Sequence, residues 1–131
     1  MEETNKPIKL FDSELKVMNL LWKNGEMTAK NIAAELTDEI GWNVNTTYTV
    51  IKRLCGKGCL KNENAIVTSL VDRATVQQAD GQEVLQRSFN GSLPNFLAAF
   101  LRAGSVSDQE AAQLEELLEE RIKIWSSSWM A

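Results

Sequence analysis

Histidine is absent from the 131 residues of this chain. Its absence removes the usual general base near neutral pH, the Ser-His-Asp triad and any histidine metal site. A glycine-rich phosphate loop is also missing, because Gly56-Lys57-Gly58 lacks the spacing that a Walker loop requires. The sequence therefore argues against an enzyme, and we expect neither a cofactor nor a metal.

Long apolar runs are absent as well. The longest, Phe96 to Leu101, has six residues, whereas a membrane-spanning helix needs about 20. The N-terminus shows no basic start followed by an apolar stretch, so we expect no secretory signal and a cytoplasmic protein. In that compartment Cys55 and Cys59 are expected to be thiols, with a metal site or a redox pair as the less favoured alternatives.

The charged residues are unevenly distributed along the chain. The net charge is -4, which by itself does not suggest a nucleic-acid binder. Residues 1–73 are neutral overall, however, and residues 74–131 carry the whole net charge. Four bases and no acid lie within residues 40–62, namely Lys52, Arg53, Lys57 and Lys61. Such a stripe of basic residues can bind phosphates although the whole chain is acidic, because salt screens charges that lie more than about 10 Å away. The alternative is that these residues only form a solvated helix face.

Periodicity and cap residues predict three helices and then a hairpin in the first half of the chain. Asp12 is expected to cap the first helix, which ends at Gly25 and has Trp22 on its apolar side, and Thr28 to cap the second. The third runs from Asn43, its cap, to about Lys57. Trp42, just before it, is expected in the core. Strands follow at Leu60–Asn62 and Ala65–Leu70, joined by a turn over Asn62–Asn64. This order is that of a winged helix-turn-helix.

The third helix is predicted to have two unlike faces. Its apolar side carries Thr47, Ile51 and Leu54, flanked by Val44 and Val50. Its other side carries Asn45, Thr49, Lys52, Arg53 and Gly56. In a DNA major groove, an asparagine such as Asn45 can pair with adenine, and Thr46 and Thr49 can contact thymine or other bases. The four basic residues, Lys52, Arg53, Lys57 and Lys61, would lie nearer the phosphates.

The second half of the chain is predicted to be helical. One helix spans about residues 73–89, another begins after Ser92, and the last follows a capping box, Ser107 to Glu110. Seven apolar residues form a ridge that a monomer would expose: Phe96, Leu97, Phe100, Leu101, Leu114, Leu117 and Leu118. Because exposed apolar patches mark interfaces, we expect a dimer; packing back onto the first half is the alternative. The burial of Trp125 and Trp129 is left open.

The fold class predicted from these elements is mainly α. We divide the chain into a flexible N-terminal arm at 1–9, a winged-helix domain at 10–72, a helical dimerisation region at 73–125 and a tail at 126–131.

Five segments of the sequence resemble the penicillinase repressor family, which includes BlaI, MecI and the copper-responsive CopY. They are Leu15–Trp22, Thr28–Ile32, Trp42–Leu54, Gly91–Leu101 and Ser107–Glu110. The resemblance implies a homodimeric winged-helix repressor that binds a palindromic DNA operator. It implies base contacts at Thr46 and Tyr48. It implies DNA backbone contacts at Asn43, Asn45, Thr49, Arg53, Thr28 and Ala29.

The sequence departs from the family pattern at several positions. Tyr48 stands where some members have arginine; alternatively its ring supports the helix against the hairpin, which is shorter than in typical members. Ala99-Phe100 occupies the place of the Asn-Phe bond that is cleaved in β-lactam-responsive members, and no cysteine follows Cys59 as copper-responsive members require. The inducing signal and any sensor protein therefore stay open.

A second function remains possible at this level. The acidic balance and the short hairpin favour a winged-helix protein-interaction module without direct DNA readout. The acid-free face of the third helix opposes it.

Overall fold

The computed structural model describes the backbone of residues 8–130 and the side chains of residues 8–126. Most of the predicted arm, the side chain of Trp129 and Ala131 therefore lie outside the described residues. The elements are α1 (Asp12–Asn24), β1 (Met27–Thr28), α2 (Ala29–Ile40), α3 (Val44–Gly56), β2 (Leu60–Glu63), β3 (Ile66–Ser69), α4 (Arg73–Phe89), α5 (Leu93–Arg102) and α6 (Asp108–Met130). Contacts divide the chain into two units, with the division inside α4 between Glu83 and Val84.

Local side-chain chemistry sets the ends of α2 and α3. The Thr28 hydroxyl accepts from the Asn31 amide at 3.1 Å, and Asn43 Oδ1 accepts from the Asn45 amide at 2.8 Å. Both caps agree with the prediction. Gly41, at φ 73°, ends α2 in the left-handed conformation that a side chain would disfavour.

The start of α1 differs from the prediction. Phe11, not Asp12, is the N-cap residue, and its backbone amide donates to Glu14 Oε1 at 2.8 Å. A carboxylate three residues into the helix thus binds the cap amide, as in one half of a capping box. Glu14, and not Asp12, therefore binds the free backbone amide at the start of α1. The same carboxylate also accepts hydrogen bonds from Arg53 and Lys57.

The hydrophobic core of the first unit is built from α1, α2, α3 and the hairpin. Its fully buried residues include Val17 and Met18 of α1, Ile32 of α2, Leu54 of α3 and Val67 of β3. The first turns of α4 add Val76. Trp22 and Trp42, predicted in the core, are only half-buried and pack against it. The Trp22 indole donates to the Val71 carbonyl at 3.0 Å, so its polar end is satisfied.

The sheet has three strands where the sequence predicted two. β1 pairs antiparallel with β3, placing Met27 opposite Val67, and the strand order is β1-β3-β2. A two-residue strand is too short to show a periodic pattern. The turn is also shifted: Glu63 pairs with Ile66, which leaves Asn64 and Ala65, both at positive φ, as a two-residue connection. Three helices with this sheet form a winged helix-turn-helix, as predicted.

One buried polar group in this core has no partner. The Thr47 side chain is fully buried, and its Oγ1 makes no hydrogen bond within the described part of the chain. An unsatisfied buried hydroxyl destabilises a fold, because the hydroxyl loses its hydrogen bonds to water.

Replacing Thr47 by valine should therefore raise the free energy of unfolding by about 1 kcal/mol, since valine has nearly the same shape and no polar atom. Urea denaturation measures the change. Thr46→Val, one residue earlier on the exposed side, is the matched control and should stay close to the unchanged protein. A loss of stability in Thr47→Val would show that its hydroxyl is satisfied.

The second unit comprises the end of α4 with α5 and α6. Ser92 caps α5 through its hydroxyl, and Ser107 and Glu110 form the predicted capping box of α6. The rings of Phe89, Phe96 and Phe100 meet edge to face, at centroid distances of 5.2 and 5.1 Å. α6 extends through the predicted tail to Met130. Within the described part of the chain, no helix combines the length and the hydrophobicity that spanning a membrane requires.

Candidate nucleic-acid interface

The third helix, α3, has its apolar side in the core and its polar side in solvent. Thr47, Val50, Ile51 and Leu54 are buried. At about 100° per residue, Asn45, Thr49, Lys52 and Gly56 fall on the opposite side. We call these four residues the outer strip of α3; all four are exposed, and none is acidic. The predicted division of the helix into two faces is therefore confirmed.

Val44 is the exception, because it was predicted to flank the buried side. Its side chain is 44% exposed. Val44 is the first residue of α3, so no earlier turn of the helix covers it. Asn45 beside it is also exposed; its backbone amide donates to the Asn43 cap, and its carboxamide makes no hydrogen bond within the described residues. The first turn of α3 thus presents a methyl-bearing side chain next to a free carboxamide.

Hydrogen bonds within α3 decide what its threonines can offer to a ligand. Thr49 Oγ1 donates to the Asn45 carbonyl at 2.9 Å. Its hydrogen is therefore used inside the helix, and Thr49 presents an acceptor lone pair and a methyl group. Thr46 is exposed and makes no side-chain hydrogen bond within the described residues, so its hydroxyl can donate or accept.

A buried carboxylate ties α1 to the far end of α3. Glu14 is fully buried, and it accepts from Lys57 Nζ at 2.7 Å and from Arg53 Nε at 3.0 Å. Arg53 Nη2 also donates to the Ser13 hydroxyl at 3.0 Å, and Lys57 Nζ lies 4.7 Å from the centre of the Phe11 ring. The side chains of Arg53 and Lys57 keep 45% and 29% of their exposure. We call Glu14, Arg53 and Lys57 the ion cluster.

Opposing effects act on the pKa of the Glu14 carboxyl. Burial raises it, but hydrogen bonds from Lys57, the Phe11 amide and Arg53 together outweigh burial, and the pKa lies below its ordinary value. Glu14 is therefore ionised at neutral pH, and the ion cluster carries a net charge of about +1. Arg53 and Lys57, predicted to contact phosphates, are thus partly neutralised inside the protein.

Sequence reasoning missed Glu14, although a signal was present. Position 14 shares one side of α1 with Val17, Met18 and Leu21, at helical spacing. A carboxylate on such an apolar stripe is buried only with cationic partners, which must come from another element. The spacing could have marked Glu14 as unusual, but not its partners, which lie 39 and 43 residues away.

The remaining cations near α3 differ in their partners. Lys61 Nζ lies 3.4 Å from Glu63 Oε1, and both side chains are largely exposed. Lys52 on α3 and Lys30 on α2 have no acidic partner among the residues that the structure describes. These two lysines are the unneutralised charges of this surface.

Lys30 and Lys52 both line an open groove of about 650 Å³ between α3 and the hairpin. Tyr48 lines it too and is 42% exposed, facing the hairpin residues Asn62 and Ala65. Part of the Tyr48 side chain is thus accessible in the groove, and both interpretations of this residue stay predictions.

The start of α2 was predicted to contact a DNA backbone through Thr28 and Ala29. The Thr28 hydroxyl uses a lone pair in its cap bond, so its hydrogen is free to donate. Ala29 is buried, and its amide already donates to the Ala65 carbonyl at 2.9 Å. Ala29 therefore has no free backbone donor.

The two cysteines are free thiols, Cys59 buried and Cys55 half-buried. Burial raises the pKa of both thiols, so both are protonated at neutral pH. No group of three or more histidine, cysteine or acidic residues that could hold a metal ion occurs in the described part of the chain.

Comparison with known proteins gives consistent matches. The penicillinase repressor family model matches residues 10–120. The penicillinase repressor of Bacillus licheniformis is 28% identical over 116 residues, covering 86% of this chain and 91% of that protein. The methicillin resistance regulatory protein MecI of Staphylococcus aureus strain N315 is 26% identical over 121 residues, covering 89% and 98%. The solution structure of monomeric B. licheniformis BlaI with the blaP half-operator is 28% identical, with a TM-score of 0.47, covering 53% of this chain and 90% of that chain.

Because the family model spans most of the chain, from the start of α1 into α6, this protein belongs to the penicillinase repressor family.

Proposed function

We propose that this protein is a transcriptional repressor that binds operator DNA through α3, as a homodimer on a palindromic site. The observation that carries the proposal is the outer strip of α3, which is exposed, polar and free of acid. An α-helix fits the major groove, where base edges present distinct patterns of donors and acceptors. The two relatives described above are named as a repressor and a regulatory protein. In this reading the chain catalyses no reaction.

The base-reading residues belong to the first half of α3. The free carboxamide of Asn45 matches adenine N6 and N7, and the Thr46 hydroxyl can donate or accept a hydrogen bond. Thr49 contributes a methyl group and an acceptor. Tyr48 reaches from the edge of the groove towards the same bases. The absence of acid from the outer strip supports direct readout over a protein-interaction module.

The DNA backbone is bound by residues on both sides of α3. Asn43 and the Thr28 hydroxyl act from two helix starts, where the macrodipole favours phosphate. Lys52 supplies an unneutralised charge, and Lys30 extends the surface. The ion cluster and Lys61 contribute less, because Glu14 and Glu63 offset them. We therefore count about three effective positive charges in each protomer.

The homodimer is proposed from the second unit. Leu101, Leu117 and Leu118 are each more than half exposed, and Phe100 nearly so. Phe96, Leu97 and Leu114 complete this apolar surface and are half-buried. A second copy related by a two-fold axis would cover this surface. The same axis would relate the two α3 helices, which would then read the two halves of a palindrome. Such a protein acts where the chromosome is, in the cytoplasm.

Two substitutions on α3 test this function. Lys52→Gln should weaken binding to all duplexes alike and lower the salt dependence, because it removes a phosphate contact from each protomer. Asn45→Ala should weaken binding to the preferred sequence alone, by about 1–3 kcal/mol. Fluorescence anisotropy with a selected duplex and a scrambled one, at several salt concentrations, separates the two effects.

Lys16→Gln is the control, because Lys16 is exposed on α1 and the change removes the same charge. Its affinity for both duplexes and its salt dependence should stay close to those of the unchanged protein. If the unaltered protein bound no duplex even at low salt, the repressor proposal would be wrong, and the interaction module would replace it.

A further inference from the structure

The first turn of α3 carries an apolar side chain, Val44, that is exposed on the same helix as the proposed base-reading residues. Val44 is 44% exposed and belongs to no part of the hydrophobic core. Valine is a weaker helix former than many residues, because its branched side chain loses rotamer freedom. Val44 therefore lies outside the core, and part of its side chain is accessible to a ligand.

Position and neighbours show what that surface can meet. The N-terminal residues of a recognition helix lie closest to the base edges, and Val44 is the first residue of α3. Tyr48, one helical turn later, is its exposed neighbour at 42%. In the major groove only thymine presents an apolar group, its C5 methyl.

The polar residues in the first half of α3 also suit A·T pairs. Asn45 has a free carboxamide that suits adenine. The hydroxyl hydrogen of Thr49 is used inside the helix, so this residue can offer its methyl group and an acceptor lone pair. No arginine or lysine occurs in α3 before Lys52, so the bidentate donors that select guanine are missing from its first two turns.

We infer that Val44 is a base-reading residue that contacts the C5 methyl of a thymine, so that the first turn of α3 selects an A·T pair. This inference rests on the proposed DNA binding and specifies the sequence that is read. It adds to the site a residue that contributes no hydrogen bond and no charge.

Uracil substitution in the DNA tests the contact without altering the protein. The full chain is first used to select a preferred duplex from a random pool. Each thymine of one half-site is then replaced by deoxyuracil, which removes the methyl group and keeps every hydrogen-bonding group. We expect one position to lose about three- to tenfold in affinity, the size expected for one buried methyl group in contact with another.

The protein variants assign that loss to a residue. Val44→Ala should bind the thymine duplex about three- to tenfold more weakly and lose little more with uracil at the same position. Ile40→Ala removes a comparably exposed apolar side chain at the end of α2 and should keep the full sensitivity to uracil. Thr49→Ser, which removes a methyl group from another part of the surface of α3, should keep it too.

Two results would overturn the inference while the proposed function stands. One is sequence-preferring binding that no uracil substitution weakens; the other is a uracil effect of equal size in Val44→Ala. Failure to select any preferred duplex would instead contradict the proposed DNA readout itself, and the inference with it.

Discussion

Glu14→Gln is expected to lower the free energy of unfolding by about 2–4 kcal/mol. The carboxylate is fully buried and ionised, and its loss leaves Lys57 Nζ and Arg53 Nε against a neutral amide. Breaking a buried ion pair is costly because the remaining charge stays poorly solvated. The expected loss lies at or below the roughly 3–5 kcal/mol that breaking a fully buried ion pair costs, because the side chains of Arg53 and Lys57 are partly exposed to solvent. Urea denaturation at neutral pH measures it.

The matched control is Glu63→Gln, which makes the same change in the exposed pair with Lys61. Exposed ion pairs contribute about 0–1 kcal/mol, so this variant should be close to the unchanged protein. Equal effects of the two substitutions would show that the ion cluster is no more important than a surface contact.

The same carboxylate gives stability a defined pH dependence. The pKa of Glu14 is lower in the folded protein than its ordinary value of 4.5. Its contribution is therefore complete above the unfolded pKa and is lost as the pH falls through the folded pKa. The difference in stability between the unchanged protein and Glu14→Gln should be constant near neutral pH and shrink below about pH 4.5. A difference that grew in acid would contradict this sign.

Leu118→Glu is expected to convert the proposed dimer into a monomer. Leu118 is 58% exposed and shares the apolar side of α6 with Leu114 and Trp125. Two-fold symmetry would place the new carboxylate in the interface twice, and each burial costs several kcal/mol unless the carboxylate is paired. The dissociation constant of the dimer should rise by about a thousandfold or more. Sedimentation equilibrium over a range of concentrations measures it.

Ala112→Glu adds the same charge to the same helix, but on the side that carries Glu116 and Glu119. It should leave the dimer intact. A Leu118→Glu protein that sediments as the unchanged protein does would remove this surface from the interface. The affinity of Leu118→Glu for operator DNA should fall as the dimer dissociates, because a monomer binds only one half-site.

Several features were predictable because their causes are local. Thr28 and Asn43 cap the helices that follow them, and the capping box at Ser107 depends on residues three apart. The two faces of α3 follow from its apolar spacing alone. The exposure of Val44 was not predicted, because spacing does not show where a neighbouring element ends; at the first turn of α3 the packing leaves this residue 44% exposed.

The sequence by itself determined the winged-helix order of elements, the acid-free outer strip of α3 and the apolar surfaces of α5 and α6. Periodicity and capping depend on neighbours within about one helical turn, which a linear pattern contains. Only the tertiary structure decided which charges remain available, because Glu14 meets Arg53 and Lys57 across 39 and 43 residues. It also decided the pairing of β1 with β3. The strength of a charge depends on burial and on partners brought together by folding, and no local pattern contains either.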